Sequence, residues 1–143
     1  QIENYKKIVE NELKIIENKT YDLLRVSHSA LVTSGTATLE TALLKVPEVV
    51  CYKGNAISYE IGKRIIKNIR FISLVNLIMD KEVVKELIQY ELTYENIKHE
   101  LNLILNTPKR DQILKDYNEL YDKLGGIGAS ERTANMIVND LEK

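Results

Sequence analysis

Tryptophan is absent from these 143 residues, phenylalanine and cysteine occur once each, and there are only two prolines and six glycines. The single thiol, Cys51, allows no internal disulfide, so a disulfide-stapled scaffold is excluded and a reducing cytoplasm is the simple reading. No apolar run nears the roughly 20 residues of a membrane span, and the opening residues do not read as a signal segment. Gln1 instead falls within a charged helical pattern, so the text is expected to be a piece of a longer chain. A net charge of -1 gives no global field towards nucleic acid or an anionic membrane. Eight tyrosines invite a base-stacking platform, but they are scattered at core-like helical spacings, so no nucleic-acid partner is expected. His28 and His99 stand apart from Cys51 and from each other. No metal-ligand spacing and no thiol–imidazole pair therefore results, no metal or cofactor is expected, and Cys51 reads as a small core residue of a strand.

What remains is an ordinary globular composition, 44% hydrophobic and 29% charged, long enough for one real core. Helical spacing of Ile2, Tyr5, Ile8 and Val9 precedes "LKII" (Leu13 to Ile16), a candidate strand. Thr20 is placed to cap a helix through Leu23, Leu24 and Val26, with Asp22 favourable in its first turn. "ALVTS", "EVVCY" and "RFISLVN" (Arg70 to Asn76) are short, apolar and β-branched, as covered parallel strands tend to be. Helices are predicted between them, at about Thr36 to Leu44 and Ile57 to Lys67. Alternation of this kind implies βαβ crossovers and an α/β parallel sheet with flanking helices. From about Lys81 the β signals fade. Thr93 then caps a helix carrying Ile97, Leu101, Ile104 and Leu105, and Thr107-Pro108 starts one through Ile113, Leu114, Tyr117, Leu120 and Leu124. Gly125-Gly126 ends it, and a last helix at about Ser130 to Leu141 gives a helical tail.

The most informative stretch is "LVTSGTATLETALLKVPEVVCY", Leu31 to Tyr52. Ser34-Gly35-Thr36 leaves a strand and opens a helix, which is where open parallel sheets bind ligands. Free amides and the helix dipole there attract an anion, Gly35 permits close approach, and Ser34, Thr36 and Thr38 add hydroxyls without charge. A phosphate or diphosphate suits that chemistry. Glu40, one turn further in, would repel phosphate but can accept hydrogen bonds from sugar hydroxyls. Equally, Gly35 can make a plain tight turn while Thr36 caps the helix, and spacing alone does not choose. Neither a Walker A loop nor a G-x-G-x-x-G turn is present, since no Lys follows and there is one glycine.

"SGTATLETALLKVPEVVCYK", followed by "FISLVNLIMDKEVVKELIQ", resembles the carboxyl-terminal half of the lipid-A-disaccharide synthases over essentially the whole chain. The resemblance implies a GT-B glycosyltransferase of two Rossmann-like domains, this chain being most of the second. Residues 1–124 would then form the nucleotide-sugar-binding domain, and residues 125–143 a terminal helix packed on an amino-terminal domain. The family's reaction joins UDP-2,3-diacylglucosamine to 2,3-diacylglucosamine 1-phosphate, making lipid A disaccharide at the inner-membrane surface of a Gram-negative cell. Ser34, Gly35, Thr36, Ala37 and Thr38 would meet the diphosphate and Glu40 the ribose. Asn76, Glu86 and Gln89 fall in segments that face the donor. Two positions depart from the family pattern: Val75 stands where a Pro is usual, and Met79-Asp80 where Ala-Gly is usual.

On this reading the chain supplies no catalytic base and no acceptor contacts. It stabilises the leaving diphosphate through amides and hydroxyls, without a metal, consistent with the lack of any Asp-x-Asp. By itself it is expected to bind donor weakly and turn nothing over. The resemblance also allows a homodimer. Lys63, Arg64, Lys67 and Arg70 read first as a solvated helix face and second as a seat for lipid phosphate or membrane. Tyr52-Lys53-Gly54-Asn55 leaves the next strand, where Lys53 could reach the nucleotide or simply lie in a turn. Ile137, Val138 and Leu141 form an apolar stripe on the last helix. The rival readings are another UDP-sugar transferase of GT-B architecture and a non-catalytic binding module.

Overall fold

The computed structural model describes residues 14–54 and 70–141. Three parallel strands form a sheet in the order β1-β2-β3: β1 is Ala30–Thr33, β2 is Glu48–Tyr52 and β3 is Lys85–Ile88. Register pairs Val32 with Val50 and Thr33 with Cys51, and on the other side Val50 with Glu86 and Tyr52 with Ile88. As the middle strand, β2 is covered along most of its length, which is why EVVCY reads as an unbroken apolar run. On the flanking strand β1, by contrast, Leu31 and Thr33 are exposed.

Helices α1 (Thr20–Val26), α2 (Thr36–Leu43), α3 (Leu74–Met79), α4 (Tyr94–Asn106), α5 (Lys109–Lys123) and α6 (Ala129–Leu141) complete the described chain, with a 3-10 turn at Gln89–Glu91. The result is the expected α/β, Rossmann-like sheet flanked by helices, with a helical tail. Its core joins Val49 and Val50 of β2 to Ala42 of α2, Val75 of α3, Leu87 of β3, Ile104 of α4, and Ile113, Tyr117 and Leu120 of α5. Burying a Val, Leu or Ile side chain stabilises by about 1.5–3 kcal/mol, so these residues hold the helices against the sheet. Among the described residues no helix is long and apolar enough to cross a membrane, and α6 buries no side chain.

Several expectations hold at the level of single caps. The Thr93 hydroxyl accepts from the Asn96 amide at the start of α4. Gly125 and Gly126 leave α5 with φ of 80° and 61°, the left-handed exit that glycine adopts without strain. Other expectations are corrected. Residues 14–16 of the "LKII" run form no strand; they are exposed and lie shortly before α1. Thr20 is the first residue of α1 rather than its cap, which is Lys19. "RFISLVN" is not a strand either. Ser73 accepts from the Asn76 amide and caps α3, turning the apolar run into a helix. The third strand is KELI, beyond the point where the β signal fades, because Lys85 and Glu86 disguise it as helix. The predicted helix at Ile57 to Lys67, with Asn55, Lys63, Arg64 and Lys67, lies outside the described residues.

The family departures also find local reasons. Val75 occupies the first turn of α3, where a Pro would cost no helical hydrogen bond, and its side chain is fully buried. Asp80 ends α3 with φ 53° and ψ 30°, a left-handed state that Asp tolerates better than most residues and that glycine adopts freely.

Candidate functional site

The turn Ser34-Gly35 follows β1 directly and opens α2, so it stands at the carboxyl edge of the sheet. Gly35 has φ 149° and ψ -162°, a region essentially reserved for glycine. A Cβ built there would meet nothing within 4 Å. The glycine is therefore required by its backbone angles, and the space above it is open. No side chain caps α2, and Gly35, Thr36 and Ala37 are exposed. The first amides of any helix lack intrahelical acceptors, and the dipole adds partial positive charge. Among the described residues nothing crowds the turn, and its amides and dipole favour an anion.

The hydroxyls divide. Thr38 is fully buried and donates to the Gly35 carbonyl at 2.8 Å, closing the turn from beneath. Thr36 is exposed at the rim, and half-buried Ser34 directs its Oγ towards the Ile72 carbonyl 3.5 Å away. Thr38 thus shapes the cradle, while Ser34, Gly35, Thr36 and Ala37 form its surface. Glu40 lies on the second turn of α2, where the Tyr21 phenol of α1 hydrogen-bonds it; that bond, with the carboxylate charge, raises the Tyr21 pKa. Tyr21 was not among the residues singled out from the sequence, and only the fold brings α1 against α2.

Asn76 and Glu86 come together between α3 and the start of β3, while Gln89 lies apart, one residue past the strand's carboxyl end. Asn76 is fully buried. Its Nδ2 donates to the Val84 carbonyl at 2.8 Å and to Glu86 at 2.9 Å, and its Oδ1 accepts from the Val83 and Val84 amides. Glu86 accepts from the Ile72 and Ser73 amides, both at 2.9 Å, and from the Ser73 hydroxyl at 2.7 Å. These two side chains tie α3 to β3. Ser73 belongs with them, and its spacing to Asn76 was a cap signal hidden inside an apparent strand.

Gln89 differs. It is 7% exposed, its Nε2 finds no acceptor among the described residues, and its backbone is left-handed with φ 52°. A buried amide without a partner among the described residues, on a residue with left-handed backbone one step past β3, departs from the usual pairing of buried polar groups.

Lys53 is exposed at the exit of β2, beyond Tyr52. Cys51 is half-buried and burial raises its thiol, so it is not an activated nucleophile. Exposed Arg70 lies 3.6 Å from Asp80, a solvated pair of little consequence for stability. His28 and His99 are both exposed.

A profile of the family described as lipid-A-disaccharide synthetase matches residues 1–139 of this chain. The lipid-A-disaccharide synthase of Syntrophus aciditrophicus is 43% identical over 132 residues, which are 92% of this chain and 34% of that protein. That of Gloeothece citriformis is 39% identical over 87% of this chain and 33% of its own length. That of Synechocystis sp. is 35% identical over 96% and 36%. The chain thus spans about a third of the length of these curated relatives. A match along nearly every residue, joined to a parallel-sheet fold with an open glycine turn at its carboxyl edge, leaves one assignment: the chain belongs to the lipid-A-disaccharide synthetase family.

Proposed function

We propose that this chain is the donor-binding part of a glycosyltransferase that moves 2,3-diacylglucosamine from UDP onto 2,3-diacylglucosamine 1-phosphate. The observation that carries this reading is the uncapped amino end of α2, opened by Gly35 at the carboxyl edge of a parallel sheet. Amides of Gly35, Thr36 and Ala37 bind the diphosphate of the donor, with the Ser34 and Thr36 hydroxyls beside them. Glu40 exchanges its Tyr21 partner for a ribose hydroxyl. Gln89 directs its unpartnered Nε2 at an acceptor atom of the donor. Asn76 and Glu86 form the wall behind, holding α3 in place.

Transfer leaves negative charge on UDP, and fixed amide dipoles stabilise that charge without having to reorganise. The general base and the acceptor contacts come from the rest of the protein. The exposed apolar side chains of α6, Met136, Ile137, Val138 and Leu141, support packing of residues 125–143 against that remainder. Such a transferase works at the inner-membrane surface, and its partners are the two lipid-linked sugars.

Titration of the complete protein with UDP, UDP-N-acetylglucosamine and GMP tests the donor assignment. Both uridine compounds should bind and GMP should not. Equal binding of GMP, or none of UDP, would remove the reading. Formation of disaccharide from the two diacylated sugars by the complete protein tests the reaction itself.

A further inference from the structure

The Glu86 carboxylate is nine-tenths buried and its two oxygens take four donors: the Ile72 and Ser73 amides, the Ser73 hydroxyl and Asn76 Nδ2. Little of it is left to touch a ligand. Every donor but one comes from the two residues that lead into α3, and the Ile72 carbonyl is the group facing Ser34 Oγ at 3.5 Å. Helices α2 and α3 also pack against each other. One continuous path thus runs from β3 through Ile72 to the glycine turn.

We infer that Glu86 is a positioning residue that acts on the donor cradle through Ile72 and Ser34, and does not itself contact the donor. This rests on the donor-site reading above. Two carboxylate oxygens fix the orientation of two successive peptide groups, so the Ile72 carbonyl cannot rotate away from Ser34. A charged acceptor is required for that task, because it must take four N–H and O–H donors without offering one of its own. An amide at this place would aim its NH2 at groups that also donate. The same demand explains why a strand residue facing a buried turn carries charge at all.

A double-mutant cycle on UDP affinity in the complete protein separates positioning from simple support of the fold. The members are wild type, Ser34→Ala, Glu86→Gln and the double variant, each checked by circular dichroism for retained structure. Glu86→Gln should weaken UDP roughly tenfold, and the double variant should bind no worse than the weaker single one. Unchanged affinity in folded Glu86→Gln, or losses that simply add, would overturn the inference. Should Glu86→Gln not fold, Ser73→Ala takes its place in the cycle, since Ser73 is fully buried and cannot reach a ligand. Wild-type protein that binds no UDP would overturn the donor-site reading and this inference with it. Wild-type binding with additive losses overturns the inference alone.

Discussion

Glu48 at the start of β2 and Tyr117 on α5 are both fully buried, and the acid acts on the phenol's proton. Burial, then the charge of Glu48, raises the Tyr117 phenol well above its usual range. Burial alone pushes the Glu48 carboxyl up to about 9, and neither of its oxygens has a partner among the described residues. Glu48 is therefore a neutral acid in the folded protein at neutral pH.

A folded-state pKa above the unfolded one sets the sign. The contribution is complete below about pH 4.3, the ordinary glutamate value, and is lost as pH rises to about 9, at up to about 1.4 kcal/mol per unit. Denaturant melts across that range should show wild type losing stability relative to Glu48→Gln, with the difference levelling off above the upper limit. A difference that stays constant with pH would show that Glu48 ionises in the folded state as freely as in the unfolded one.

Gly35→Ala isolates backbone strain from crowding. The new methyl would meet no atom within 4 Å, so a steric view predicts no effect. The angles φ 149° and ψ -162° predict otherwise: about 1–3 kcal/mol of lost stability, or relaxation of the turn with loss of its anion site. Either way UDP affinity should fall, as titration calorimetry would show. Unaltered melting together with unaltered UDP binding would mean that the turn does not hold these angles.

Gln89→Leu should part stability from binding. It keeps approximately the same volume and removes an amide whose Nε2 is buried without an acceptor among the described residues, and such a group costs about 1–3 kcal/mol. Thermal stability should hold or rise while UDP affinity falls about tenfold. A clear loss of stability with binding intact would place Gln89 in the fold's support and outside the site.

The glycine turn, β1, β2, and the caps at Thr93 and Gly125 are legible in the residue order, because each depends on neighbours a few residues away. The third strand was missed for a tertiary reason. KELI carries Lys85 and Glu86, and it takes the donors of Ile72, Ser73 and Asn76, brought by the fold, to make a buried Glu86 tolerable. "RFISLVN" was misread for a local one: β-branched and aromatic residues outweighed the cap at Ser73. The candidate site was legible as a set of positions, but the division of labour within it was not. Nothing in the order of residues tells that Thr38 bonds back to Gly35 while Thr36 stays open, or that Asn76 is saturated while Gln89 is not. Those differences arise from which atoms the fold brings within 3 Å.

Asn76→Asp examines that saturation directly. Asn76 serves two acceptors with Nδ2, the Val84 carbonyl and Glu86, and two donors with Oδ1, the Val83 and Val84 amides. An aspartate preserves the shape and the acceptor side. It loses both donors and brings a second carboxylate against Glu86 in a place with no solvent access. The cost should reach about 3–5 kcal/mol near neutral pH, the range for a buried charge deprived of its partner. Protonation restores one O–H donor, so the substituted side chain has a folded-state pKa above the usual 3.9. The variant's deficit should then shrink as pH falls and widen as pH rises through that elevated value. Hydrogen exchange at the Val83 and Val84 amides should report the same trend locally, with protection lost first at high pH. A deficit that does not change with pH would mean that the substituted group turns outward and leaves the network instead of straining it.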